Sequence, residues 1–442
     1  MTRWALGVVG MAVILPLGVA RADDPVRIDE RFPVGHRYQV QMRVELTGVL
    51  TPPAEKGKIA KPVKVEGISN IEYSERVLAV DGGGRVSKSL RNYDKMEFRR
   101  TLAGQPQELT LRPEVRRQVL LRKGNTEVPF SPEGPLTWGE IDAVRTDVFI
   151  PALTGLFPTK PVQVGDRWTA DTMAVQELTD LEKINNGTLE CRLERVESGG
   201  RRARVTFNGI IRGVGEDGPV RHRLQGTYHF DLVDGYLADL TLLGTTSMLD
   251  KDDKEAGRVD GQLVLQRQLG SRAAGLSDTA IKGLKTEPDA DNTMMLYDNP
   301  SLGVRFSHPR RWKVAQVMGA QVALDTVEGN SILITVDPLE RVPTPGAFLN
   351  ETRTWLVKQK AKLIRTYSPK HLRDGPSLDA FALEAEMGGQ KLWLDYYVTS
   401  QANGGVTVAG RLLPGELAEM RREVDRVARS VEVTRRISAA AP

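Results

Sequence analysis

The segment Gly213-Val214-Gly215-Glu216-Asp217-Gly218 satisfies the G-x-G-x-x-G pattern whose backbone amides can hold a dinucleotide pyrophosphate. That chemistry needs a helix opening directly after the glycines with its N-terminus facing the phosphate, whereas Pro219 and Val220 lead into another β-like run. A hairpin loop is expected. Asp250-Lys251-Asp252-Asp253-Lys254-Glu255 has the acidic start of a calcium loop, but Lys254 stands at the third ligand position and Glu255 where a sharp-turn glycine belongs. It reads as a solvated turn. His222 and His229 are the closest pair of the five histidines, yet seven residues apart on a strand they face opposite ways. His36 and His308 fall at strand edges or turns, and His371 in the surface-like Lys370-His371-Leu372-Arg373. No G-x-S-x-G elbow anchors a serine triad. Cys191 alternates with Leu189 and Leu193 on an apolar face, which makes it a small core residue. No catalytic, cofactor-binding or metal-ligating residue is assigned, and neither a cofactor nor an enzyme activity is expected.

The N-terminus carries an address instead of chemistry. Arg3, an apolar stretch from Trp4 to Ala20 interrupted at Pro16, and Ala20-Arg21-Ala22 before Asp23 form an export signal over residues 1–22, with cleavage expected after Ala22. The stretch is short of the roughly 20 residues that span a bilayer comfortably. With Arg3 and Arg21 removed from 61 basic residues, 59 face 57 acidic ones, a balance that excludes nucleic acid as an expected partner. One cysteine makes no intramolecular disulfide, so packed cores must hold the exported chain, and a periplasmic or extracellular location follows.

The elements follow from apolar periodicity. Between residues 27 and 270 the period is two: Tyr38, Val40, Met42, Val44 and Leu46 alternate with Arg37, Gln39, Gln41, Arg43 and Glu45, which predicts long antiparallel strands with one wet face. A hairpin is predicted with strands at 228–233 and 236–240 around Asp234-Gly235. Val34-Gly35-His36-Arg37-Tyr38 and Val164-Gly165-Asp166-Arg167-Trp168 open two similar stretches. Glu75-Arg76-Val77 with Gly83-Gly84-Arg85 is matched by Glu194-Arg195-Val196 with Gly199-Gly200-Arg201. A duplicated β unit, with halves at about 27–136 and 160–270, is expected. Between them Thr137-Trp138-Gly139-Glu140 is a capping box opening a helix over about 138–150, with Ile141, Val144, Val148 and Phe149 inward. Residues 50–62 read as an exposed loop, and 271–293, poor in large apolar groups, as an interdomain linker.

From Met294 to about Val433 a second domain is expected. It should comprise strands around Leu302–Phe306, Trp312–Val314, 322–324, 332–336, 378–387, 392–399 and 406–412. Thr344 caps a helix over 345–364 with Phe348, Leu349, Thr352, Trp355, Leu356 and Leu363 inward, and Leu417, Met420, Val424 and Val427 stripe a final helix. The fold class is therefore α+β, with a β-rich first domain over 23–270 and a disordered tail over 434–442. Of Tyr396 and Tyr397, adjacent on one strand, one ring is expected in the core and the other exposed as a contact point. Arg99-Arg100, Arg116-Arg117, Arg201-Arg202 and Arg421-Arg422 read as solvated faces.

The run from Tyr297 through Gly303-Val304-Arg305-Phe306 to Pro309-Arg310-Arg311-Trp312, followed by the 345–364 helix, the Leu392–Tyr397 strand and the closing helix to Val431, resembles the Mog1/PsbP/DcrB-like family over about 295–433. The resemblance implies an α/β/α sandwich used as an accessory or protein-binding module, with no catalytic site. By architecture the first region resembles exported β-rich domains that curve a sheet over a helix, as in bacterial carriers of lipoproteins and lipids. Three readings follow. The first is a non-enzymatic accessory protein contacting another envelope protein. The second is a carrier sheltering an apolar or lipidic ligand under the 140–150 helix, and the last is a hydrolase with dispersed residues.

Overall fold

The computed structural model of the chain describes residues 24–51, 62–123, 126–216, 218–270 and 273–437. The export signal with its cleavage point, most of the 50–62 loop and the tail beyond Ile437 lie outside these residues. The period-two runs form β1 (Arg37–Leu50), β2 (Val63–Val80), β3 (Val86–Leu102), β4 (Gln105–Thr110), β5 (Arg117–Lys123), β6 (Thr126–Phe130), β7 (Arg167–Thr169), β8 (Lys183–Glu197), β9 (Arg202–Gly215), β10 (Gly218–Asp231), β11 (Tyr236–Leu249) and β12 (Glu255–Leu269). Among the described residues these twelve make one sheet in the order β6-β5-β3-β2-β1-β12-β11-β10-β9-β8-β7, with β4 beside β3. Its pairings are antiparallel, and β1 lies against β12, so the two runs of hairpins meet at mid-sheet.

Strict alternation puts Tyr38, Val40 and Met42 of β1 beside Ile71, Tyr73 and Val77 of β2 on the buried face, where water exclusion stabilises the sheet. That face is covered by Ile28 and Phe32, by α1 (Trp138–Val144), by a 3-10 turn (Ile150–Leu156) and by α2 (Thr172–Thr179). The capping box is present: Thr137 Oγ1 accepts from Glu140 N at 3.2 Å, and Glu140 Oε2 accepts from Thr137 N at 2.8 Å. The helix is shorter than its apolar spacing predicts. It stops at Val144 because Asp147 turns its carboxylate to Val148 N (2.7 Å) and Pro151 disfavours the helical conformation at Ile150.

The G-x-G-x-x-G segment is the β9–β10 hairpin, and Asp250 Oδ1 closes the β11–β12 turn by accepting from Asp252 N (2.8 Å) and Lys254 N (2.9 Å). The hairpin near Asp234 has a longer loop than predicted. Its strand ends at Asp231, whose carboxylate accepts from Val233 N and Asp234 N, so residues 232–235 form the turn. The two glycine turns make matching hydrogen bonds. Gly35 N donates to Val77 O (2.9 Å) and Val77 N to His36 O (3.0 Å), while Gly165 N donates to Leu193 O (2.8 Å) and Leu193 N to Asp166 O (3.1 Å), which sets Val77 equivalent to Leu193, three residues before the Val196 that the sequence match pairs with it. Both glycines adopt positive φ, +86° and +97°.

The expected linker is a folded strap. Leu276, in a 3-10 turn (Ala274–Leu276) ahead of α3 (Asp278–Ile281), is fully buried with Leu90, Val119 and Phe130 on the opposite face of the sheet, and Arg76 Nη1 donates to its carbonyl at 2.9 Å.

The rest of the chain adds β13 (Met295–Asn299), β14 (Val304–His308), β15 (Lys313–Met318), β16 (Gln321–Asp325), β17 (Ser331–Asp337), α4 (Pro345–Lys358), β18 (Lys362–Leu372), β19 (Leu378–Met387), β20 (Gln390–Gln401), β21 (Gly404–Leu412), α5 (Leu417–Ser430) and β22 (Glu432–Val433). Seven strands pair in the order β15-β16-β17-β21-β20-β19-β18, and β13-β14-β22 form a small sheet beside them. Met420, Val424 and Val427 of α5 share a cluster with Tyr397 and Val408; Leu349 and Leu356 of α4 share another with Phe381, Leu383 and Tyr396. Helices thus cover both faces, and the whole is α+β. Both tyrosine rings are therefore buried, contrary to the expectation for one of them.

Two further expectations are corrected here. The 345–364 helix ends at Lys358, leaving Leu363 on an edge strand and Trp355 at 45 % exposure, outside the inward stripe. The first residues of the expected tail are docked, Thr434 N donating to Gly303 O and Ile437 N to Asn403 O. The large sheet and the sandwich also touch: Leu296 N donates to Leu136 O at 2.7 Å, and Met295 is buried with Val115, Leu136 and Ile141.

Candidate functional site

The buried face of the large sheet carries charge at positions whose parity calls for apolar residues. Tyr38, Glu75, Arg91 and Gln118 stand on one rung across β1, β2, β3 and β5, and Arg267 follows Leu263 and Leu265 on the inner side of β12. Arg91, 1 % exposed, donates Nε to Glu75 Oε2 at 2.8 Å and Nη1 to Tyr93 Oη at 3.3 Å, and pairs with Asp147. Its guanidinium also lies 4.4 Å from the Tyr73 ring centre. The loop after α1 delivers Asp147 to that arginine.

A second pair sits at the rim. Arg122 donates to Glu177 Oε2 at 2.5 Å, lies 3.8 Å from Glu127 and covers the Phe149 ring at 4.4 Å; Glu177 Oε1 in turn accepts from Phe149 N at 2.6 Å. A third joins the N-terminal segment to the sheet, Glu30 pairing with Arg267 and accepting from Leu237 N at 3.0 Å. Arg267 stacks over Tyr38 at 4.7 Å.

Burial dominates the electrostatics of these groups. It pushes Asp147 up to about 7, against the pull of Arg91 and with help from Glu127 and Glu75. It raises Glu30 and Glu127 in the same direction despite their arginines. Against the cost of burial, Asp147 and Glu75 hold Arg91 protonated far above its ordinary range. The carboxylates and guanidinia pair with each other, which compensates charge inside a core, while Glu75 Oε1, Arg91 Nη2 and Arg267 Nε stay buried without a hydrogen-bond partner among the described residues.

Over this network opens a cleft of about 900 Å³ between residues 29–33, the β2–β3 turn, the 3-10 turn and the start of α2. Phe32, Phe149, Phe157 and Met173 give it apolar walls, and its edges mix Arg31, Arg85 and Arg122 with Asp29, Glu30, Asp81 and Asp171.

The residues considered from sequence are dispersed. Cys191 is buried with its thiol pushed up to about 12 by burial, and His222 is buried beside Thr246 and pushed down to about 4. His308 is buried in the sandwich, His371 lies by Asp379 on a strand edge, and His229 pairs with Asp239. His36 packs against Phe32 and Tyr38 near the cleft. Among the described residues, no group of three His, Cys, Asp or Glu side chains is placed to hold a metal ion, and no helix is long and apolar enough to cross a membrane. Sequence reasoning missed Glu75, Arg91, Arg122, Asp147 and Arg267. The available signal was parity: a charge where the alternation demands a buried side chain.

No protein-family model matches the chain, and no curated protein does. The cyanobacterial PsbP (CyanoP) of Synechocystis sp. PCC 6803 is similar over 32 % of this chain and 92 % of that one, at 16 % identity and a TM-score of 0.26. DynF from the dynemicin biosynthesis pathway of Micromonospora chersina is similar over 58 % of this chain and 92 % of that one, at 10 % identity and a TM-score of 0.14. The translocator domain of the autotransporter NalP from Neisseria meningitidis covers 87 % and 88 %, at 10 % identity and 0.12. The likeness to a PsbP-like fold is weak and spans about a third of the chain.

Proposed function

We propose that this chain is an exported, non-enzymatic accessory protein of the cell envelope, built of two domains, whose C-terminal sandwich contacts another envelope protein. The observation that supports it best is the filling of the large sheet's inner face. Phe32, Phe149, Leu153, Leu156 and Phe157 occupy the concavity that a carrier would leave for cargo, and the charges beneath them are mutually paired. Surfaces are then the parts of the molecule left to do work. The two matched glycine turns support descent of the first domain from a duplicated unit.

The experiment is photo-crosslinking in the producing cell, with a photoreactive residue placed singly at exposed sites of the full chain. One recurrent adduct from sandwich sites such as Val327 is expected, with none from the outer face of the large sheet. Adducts scattered evenly over both would sink the proposal.

The cleft of about 900 Å³, with Phe32, Phe149, Phe157 and Met173 in its wall, supports a second reading, carriage of an apolar or lipidic ligand. Native mass spectrometry of the gently purified chain separates the two, since a reproducible small-molecule adduct lost on Phe149→Asp favours carriage.

A further inference from the structure

Arg91 is shared by two carboxylates, Glu75 on β2 and Asp147 on the loop after α1, and all three side chains are 1 % exposed or less. With both acids ionised the trio carries a net negative charge inside the core, which burial penalises heavily. With one proton bound it is neutral. Among the described residues the neighbouring elements bring no further cation to this trio. Arg122 on β5 serves Glu177 on α2 and lies 3.8 Å from Glu127 on β6, and Arg267 on β12, beyond Tyr38, pairs with Glu30. Burial keeps the phenols of Tyr38 on β1, Tyr73 on β2 and Tyr93 on β3 protonated far above their ordinary range, so they add no charge. The two acids are held unequally. Glu75 stands on a strand bonded on both sides, to β1 and to β3. Asp147 stands between the end of α1 at Val144 and the 3-10 turn that starts at Ile150, and it is tied by Arg91, by Tyr93 Oη at 3.4 Å and by Val148 N. Repulsion within the trio is relieved with least disruption by movement of the loop.

We propose that the loop over residues 145–149 is a proton-dependent latch: Asp147 seats on Arg91 as the neutral acid, while Arg91 and Glu75 balance each other, and ionisation of Asp147 loosens the loop from the sheet. Phe149, at the end of that loop, walls the cleft, so the latch governs how far the cleft opens on that side. Burial pushes Asp147 up to about 7 from 3.8. Its seat is therefore firmest below 3.8, weakens as pH rises through 7 and weakens no further above that. The loop's amides report its state. Thr146 N donates to Ala143 O, Asp147 N to Val144 O and Phe149 N to Glu177 Oε1, so each is protected while the loop is seated. This inference stands on the buried charges and does not depend on the protein-contact reading above.

The test is amide hydrogen exchange of the full chain, as processed by the cell that makes it, read at residues 146–149 as pH is varied. Wild type is compared with Asp147→Asn at each pH, so that the intrinsic pH dependence of exchange cancels. The expected ratio of wild-type to variant exchange rises about tenfold per pH unit between about pH 5 and 7 and levels off above it, while the amides of β9 and β10 keep a constant ratio. Glu75→Gln runs the same test through the other acid. It leaves Asp147 an arginine of its own, so Asp147 stays seated when ionised and the variant loses the pH dependence that wild type shows. A ratio that stays constant over this range against either variant overturns the latch. A rise shared equally by β9 and β10 reports unfolding of the whole sheet and overturns it as well.

Discussion

Arg91 is tolerated in the core because Glu75 and Asp147 share its charge and Tyr73 supplies a ring face. Replacing it with leucine leaves two carboxylates buried without a cation, at a cost of about 3–5 kcal/mol in urea unfolding. A loss under about 1 kcal/mol would show that the network is solvated and compensates nothing. Asp147 gives a pH signature. Its folded pKa of about 7 lies above the ordinary 3.8, so the stability it contributes is fully present below 3.8 and is lost as pH rises through 7. His222, pushed down to about 4 from 6.5, acts oppositely: its contribution is present above 6.5 and is lost as pH falls through 4. The decline of stability from pH 4 to 7 relative to wild type should therefore shrink in Asp147→Asn. Parallel curves for the two proteins would refute the assignment.

At the scale of elements, close packing between strands depends on residues with no side chain. A Cβ at Gly226 would stand 2.3 Å from Phe207 Cζ and 2.5 Å from Thr241 O, so the ring of β9 lies in the notch that β10 leaves. Gly226→Ala should destabilise by about 1–3 kcal/mol, measured by chemical denaturation, because the buried Phe207 must leave its rotamer. Stability within error of wild type would mean that the strands slide freely there. Strand existence was readable from alternation in β1, because a period of two survives where one face is dry, and from near-continuous apolar runs in β19–β21, whose two faces are both covered by helices. Helix ends were harder. The apolar spacing continues through Val148 and Leu363, yet α1 yields to the demand for Asp147, and α4 stops at Lys358, three residues short of β18 at the sheet edge.

For the molecule as a whole, the large sheet and the sandwich are joined by a small buried seam. Met295 packs with Val115, Leu136 and Ile141, and Arg310 reaches across to Pro129 O while its Nε binds Thr293 O at 3.1 Å. Met295→Ala opens a cavity in that seam and should cost about 2–5 kcal/mol there. The expected readout in calorimetry is the separation of one transition into two. A single transition merely shifted downwards would show that coupling runs elsewhere, through the strap that places Leu276 against Leu90 and Val119.

Local periodicity determined by itself that the chain is α+β, where most strands lie, that Cys191 is buried and that the glycine and aspartate motifs are turns, since each depends on neighbours within a few residues. Only tertiary structure decided that both Tyr396 and Tyr397 are buried, that residues 273–293 form a strap, and that Glu75, Arg91, Asp147 and Arg267 share one interior. Those outcomes depend on groups brought together from distant parts of the chain, Asp147 from a loop and Arg91 from a strand 56 residues earlier. A charge at a buried position announces a cost, and the fold alone names the partner that offsets it.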